Sequence, residues 1–100
     1  MNSPIDSYRE HFHIAASHPA LPGHFPGNPV VPGVVLLDRV VAAVERAWNA
    51  RVTGFAQVKF VRPLLPEQRV ELHLERAATV RFRIVDGADT LASGSAELAP

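Results

Sequence analysis

Apolar and polar residues alternate with period two from Tyr8 to Ala16. The string YREHFHIAA puts Tyr8, Glu10, Phe12 and Ile14 on one side of an extended segment and Arg9, His11 and His13 on the other. That pattern predicts a half-buried first strand. Residues 17–32 then carry five prolines and two glycines, which fix φ repeatedly and remove backbone donors, so neither helix nor central strand can form there. Leu21, Phe25, Val30 and Val31 supply apolar anchors between the prolines, which predicts an ordered, stiff loop rather than a disordered linker. After Gly33 the run VVLLDRVVAAVERAWN is free of Gly and Pro and is long enough to predict a helix ending near Asn49. Its polar residues are only Asp38, Arg39, Glu45 and Arg46, so most of its circumference calls for cover by other structure.

The remainder reads as β. VTGFAQVKFVRP sets Phe55, Gln57 and Lys59 against Ala56, Val58 and Phe60, and Pro63 and Pro66 impose a turn. In QRVELHLERA, Val70, Leu72 and Leu74 share a face; in TVRFRIVDG, Val80, Phe82 and Ile84 do; TLASGSAEL follows the turn residues Asp86-Gly87. One strand, a long loop, one apolar helix and four more strands predict an α+β domain spanning 1–100, in which an antiparallel sheet wraps a single helix.

Composition narrows the functional classes. With 47% apolar and 20% charged residues the chain can build a core, yet a domain of this size leaves roughly a third of its unfolded-chain surface exposed, a deficit that a partner subunit would relieve. Ten basic residues balance ten acidic ones, which argues against a nucleic-acid binder. The absence of cysteine rules out thiolate zinc sites and cysteine nucleophiles. No apolar run approaches the 20 or so residues of a membrane span, so the expectation is a cytoplasmic protein with no membrane partner.

The candidate chemistry lies in PGHFPGNPVVPGVVLLD, residues 22–38. His24 sits between Pro22-Gly23 and Pro26-Gly27, which aims its imidazole with little freedom to lose during reaction. Its unperturbed pKa of about 6.5 suits a proton acceptor near neutrality. Gly33 opens the helix, whose first N–H groups and positive dipole end suit a developing oxyanion. Asp38 has Val34, Val35, Val41 and Ala42 three and four residues away; desolvation by such neighbours raises a carboxyl pKa and makes a proton donor. Base, acid and oxyanion site together suit removal of water from a 3-hydroxyacyl thioester.

GHFPGNPVVPGVVLLD, together with VKFVRPLLPEQ and SGSAEL, resembles the β-hydroxyacyl-acyl-carrier-protein dehydratases, over most of residues 10–98. The resemblance implies the hotdog fold, an antiparallel sheet of about five strands wrapped around one long central helix. It implies His24 as catalytic base, Asp38 as acid partner and the Gly33 N–H as carbonyl-binding donor, with Val34 and Phe25 beside the substrate. It further implies a homodimer with strands continuing across the interface and His24 of one chain facing Asp38 of the other. An acyl carrier protein or coenzyme A thioester is the expected substrate, and no metal or redox cofactor is needed. The acid is Asp, as in the branch that also isomerises double bonds, and Ala42 stands where the Glu-bearing branch carries glutamine. The compact length is similar to small stand-alone dehydratases of aryl-polyene clusters, some of which pair with a different hotdog subunit.

Alternatives are a hotdog thioesterase, which generally lacks the GHFPG loop, and a non-catalytic acyl-binding subunit of a hetero-oligomer. Asp38 taken alone would by default be an ion-pair partner of Arg39 or Arg81. His11, His13 and His18 suggest a metal site but lack a further ligand at diagnostic spacing. Lys59, Arg62, Arg81 and Arg83 form a candidate basic rim for an acidic carrier protein.

Overall fold

A computed structural model describes residues 6–21 and 30–100. The elements are β1 (Ser7–Phe12), α1 (Gly33–Trp48), β2 (Val52–Phe60), β3 (Val70–Arg76), β4 (Val80–Asp86) and β5 (Asp89–Leu98). The strands form one antiparallel sheet in the order β1-β3-β4-β5-β2. Thus β1 and β2 are its edges.

Helix α1 begins after Pro32, whose extended backbone (φ −61°, ψ 144°) caps it without a side-chain hydrogen bond. It ends at Asn49, in the left-handed region at φ 52°, whose N–H donates to the Glu45 carbonyl at 2.9 Å; Asn is one of the few residues that tolerates this C-terminal conformation. Val35, Leu36, Val40, Ala43 and Val44 form its buried face. Against them lie Leu72 and Leu74 of β3, Val80, Phe82 and Ile84 of β4 and Ala92 and Ala96 of β5. Period-two alternation directs these residues to one face of the sheet and leaves Arg81, Arg83 and Glu75 on the other.

β1 has the expected phase: Phe12 is buried while Arg9 and His11 are exposed. Glu10 is also on the inner side, and its carboxylate accepts hydrogen bonds from the Tyr8 hydroxyl at 2.9 Å and from the Arg46 guanidinium. This contact fastens the first strand to the last turns of the helix. The β4–β5 hairpin closes through Gly87-Ala88, between the paired Asp86 and Asp89. Gly87 takes φ 60°, the positive value that tight two-residue hairpin loops require.

β2 departs from the simple alternation. Its pairing with β5 shifts between Val52 and Gly54 and again between Ala56 and Lys59, and Gln57 adopts φ 56°. The second shift is a bulge that inserts one extra residue and reverses the phase. Phe55 and Val58, three residues apart, therefore both pack on the core, although the sequence pattern set them on opposite faces. Phe55 meets Phe82 edge-on with ring centroids 5.9 Å apart.

Candidate functional site

Three of the expected site residues, Gly33, Val34 and Asp38, lie on the first turns of α1. His24 and Phe25 fall outside the described residues. The segment leading into the helix is tied to the turn after β2, because the Val31 N–H donates to the Leu64 carbonyl at 2.8 Å. At the helix tip the Val35 N–H reaches back to the Pro32 carbonyl at 3.0 Å. With no capping side chain and no acidic residue in the first turn, the tip keeps its positive end available to an incoming carbonyl.

Gly33 also has a packing role. A Cβ built on it would come within 2.6 Å of Phe60 Cζ, so the aromatic ring at the end of β2 occupies the space that any other residue would fill. Around this contact Val34 (64% exposed), Phe60 (52%), Val61 (61%) and Leu65 (48%) are, among the described residues, the large apolar side chains left uncovered. They gather where the helix start meets the end of β2 and the following turn. Of four large apolar residues on α1 and β2, Leu36 is in the core, Leu37 is only partly buried and Phe55 packs on Phe82. Phe60 alone of the four combines exposure with contact to Gly33.

Asp38 lies one turn beyond Val34 and is exposed. Among the described residues the hydrocarbon setting expected from its helical neighbours is not found: Val35 is turned into the core, while the face bearing Val34 and Asp38 looks outward. The ion-pair alternative also fails. Arg39 stacks its guanidinium over the Phe12 ring, 4.9 Å from the centroid, and Arg81 sits on the outer face of the sheet; among the described residues Asp38 makes no ion pair.

The remaining candidates disperse. His11 Nε2 lies 2.9 Å from Glu71, His13 Nε2 lies 3.7 Å from Glu67, and His18 Nδ1 accepts the Ala20 N–H at 3.0 Å. Three histidines with three separate partners do not converge on an ion, and no metal-binding group exists among the described residues. Glu71 also takes a hydrogen bond from His73 at 2.8 Å, and that bond, with the nearby charges of His11 and Arg9, holds its carboxyl below the usual value. Of the four cations considered as a rim, Arg62 turns to Asp89 at 3.5 Å, whereas Lys59, Arg81 and Arg83 line one groove with Arg9.

The sequence matches the family model described as ApeI-like, ApeI dehydratase, over residues 2–95. The chain belongs to the ApeI-like dehydratase family. It is also 31% identical over 81 residues to the 3-hydroxyacyl-[acyl-carrier-protein] dehydratase FabZ of Nitratidesulfovibrio vulgaris (strain DP4), a match covering 70% of this chain and 53% of that protein. The chain thus spans about half the length of the curated relatives it matches. In structure it is similar to the dehydratase heterocomplex ApeI:P from Xenorhabdus doucetiae, with a TM-score of 0.84 at 23% identity, covering 99% of this chain and 93% of that one. An uncharacterized protein from Erwinia carotovora subsp. atroseptica gives a TM-score of 0.76 at 24% identity, with 99% and 89% covered. The shared architecture is the hotdog fold, here with a 16-residue helix rather than a notably long one. For this ApeI-like chain no described helix is long and apolar enough to cross a membrane.

Proposed function

We propose that this chain dehydrates a 3-hydroxyacyl thioester, borne by an acyl carrier protein or coenzyme A, to the trans-2-enoyl thioester in the cytoplasm. The observation that carries the reading is the open start of the helix: its tip at Gly33 has no side-chain cap, and one turn apart on its exposed side stand Val34, part of an apolar patch, and Asp38. In the proposed reaction the His24 imidazole removes a proton from carbon 2. The thioester carbonyl oxygen, gaining charge, is met by the Gly33 N–H at the helix tip. Asp38 delivers a proton to the departing 3-hydroxyl, which leaves as water. Val34 and Phe25 flank the acyl chain. The departing water carries the 3-hydroxyl and the Asp38 proton, while the carbon 2 proton stays on His24 and must return to the Asp38 carboxylate to reset the pair for the next turnover.

Because Asp38 is exposed in the isolated chain, the site is complete only in a dimer, in which a second chain dries this face and brings its own histidine loop opposite. A homodimer is the first reading. The second, favoured by the same incomplete face and by the likeness to a heterocomplex-forming dehydratase, is pairing with a different hotdog subunit. The test is turnover of a hydroxybutyryl thioester by wild type, His24→Ala and Asp38→Asn, each alone and with a neighbouring hotdog subunit. Losses of at least about a hundredfold are expected in each variant. Unchanged rates in both overturn the assignment, and free acid without enoyl thioester points to a thioesterase instead.

A further inference from the structure

Both ends of the segment that carries His24 are tied to one turn, which spans residues 61–69 between β2 and β3. That turn is itself fixed to the β4–β5 hairpin. The Val61 and Arg62 N–H groups donate to the Leu91 carbonyl at 2.7 and 3.1 Å, and the Gln68 amide donates to the Asp86 carboxylate at 2.7 Å. Gln68 also closes the turn on itself, since its side-chain oxygen accepts the Leu65 N–H at 3.0 Å. Beyond His24, the Val31 N–H donates to the Leu64 carbonyl at 2.8 Å. Ahead of His24, Glu67 supplies the ties. Its N–H donates to the Ile14 carbonyl at 2.8 Å, one carboxylate oxygen accepts the Ala16 N–H at 2.8 Å, and the other lies 3.7 Å from His13 Nε2.

The hold at Ala16 is carried onward along the chain. From Ala15 to Leu21 the backbone closes in short hydrogen-bonded turns: the His18 N–H donates to the Ala15 carbonyl at 2.9 Å, the Ala20 N–H to His18 Nδ1 at 3.0 Å and the Leu21 N–H to the His18 carbonyl at 3.0 Å. Leu21 is buried in the core and stands three residues before His24. Glu67 achieves this from a backbone that suits a different residue. Its φ is 67°, in the left-handed region where glycine is unstrained and a residue with a side chain is not. The turn by itself therefore favours glycine at 67, and what the glutamate adds is the connection to Ala16 and His13. Its side chain is 60% exposed, so these ties contribute little to overall stability. Their effect is on where the segment lies.

We infer that Glu67 is a positioning residue for the proposed dehydration: through the Ala16 N–H it fixes the point from which the chain runs to His24, and with it the approach of the imidazole to carbon 2 of the substrate. The inference rests on the reading of His24 as the base, and Glu67 acts only through the segment it ties down. A displacement of about 1 Å between reacting groups can cost on the order of a hundredfold in rate. Loss of this tie therefore reads out in kcat, with KM and stability little changed.

The test compares Glu67→Gly, which relaxes the backbone and removes both side-chain ties, with Glu67→Gln, which keeps an oxygen to accept the Ala16 N–H. Turnover of a hydroxybutyryl thioester is measured well below the melting temperature of either variant, alone and with a neighbouring hotdog subunit. Support consists of a kcat lowered at least about tenfold in Glu67→Gly, with KM within about threefold and a melting temperature no lower than wild type, and of kcat recovered to within about threefold in Glu67→Gln. A Glu67→Gly kcat within about twofold of wild type overturns the role. So does a loss confined to KM, an equal loss in Glu67→Gln, or a melting temperature lowered in step with kcat, which marks a structural tie only. If wild type does not turn over, the dehydratase reading fails by itself, and the hold on the segment is read from amide hydrogen exchange. His18 and Leu21 N–H groups that exchange at least about tenfold faster in Glu67→Gly support it, and equal rates overturn it.

Discussion

Gly33 shows how one position can serve packing and chemistry together. The Phe60 ring lies where a Cβ would stand, and that ring is half exposed, so it can swing outward when a methyl group arrives. Gly33→Ala should therefore change stability by less than about 1 kcal/mol, because the better helix propensity of alanine offsets the displaced contact. Turnover should nevertheless fall, since the ring and the new methyl both move into the space beside the helix tip. Urea denaturation and a thioester assay on the same preparation separate the two effects. Glu71 gives a pH-linked expectation. Its carboxyl is held below the ordinary value of 4.5, first by the His73 hydrogen bond. A depressed carboxylate contributes stability that is present above its unfolded value and lost as pH falls through the lower folded value. Thermal melts of Glu71→Gln should thus lose part of the steep acid destabilisation that wild type shows below about pH 4.5, and should run close to parallel with wild type near neutrality.

Among the elements, β3 and β4 were legible from periodicity, α1 from the length of a run free of Gly and Pro, and β5 from the Asp86-Gly87 turn before it. The alternation of Val70, Leu72, Leu74 and of Val80, Phe82, Ile84 is strict, and each of these residues is buried. The helix stops at Asn49, where the apolar run gives out. That stop is testable: Asn49→Gly should leave stability unchanged or slightly raised, and Asn49→Ala should cost about 1 kcal/mol, because only the latter strains φ 52°. Denaturant midpoints at constant m-value would check both. β2 was not legible in the same way. Nothing in VTGFAQVKF announces that Gln57 takes a positive φ, and period-two counting cannot anticipate a phase reversal. The exposure of Asp38 was hidden for a different reason. Its neighbours at three and four residues are apolar, yet burial depends on which face of the helix the sheet covers, and the sheet covers the face of Val40 and Val44.

For the whole molecule, strand order and register were also beyond single-sequence reasoning. The family motif, by contrast, singles out Gly33, Val34 and Asp38 from sequence, while the outward side of α1 on which Val34 and Asp38 lie is visible only in the structure. That face and the adjoining Val61 and Leu65 are apolar surface without cover in the described protein. Sedimentation of the purified chain should therefore give a dimer, and Val61→Asp/Leu65→Asp should shift it toward monomer, together with a loss of turnover if the dry site needs two chains. A double variant that stays dimeric would place the interface elsewhere.

The irregular backbone at Gln57 has a further bearing on association. A free sheet margin normally invites any extended peptide to zip along it, which is the route to indiscriminate aggregation. Here the margin is interrupted near its start, between Val52 and Gly54, and again around residue 57, where the runs on either side are offset by one position. An incoming strand that lacks a compensating offset can satisfy one run only, so the margin behaves as a keyed joint, admitting a single alignment and refusing the rest.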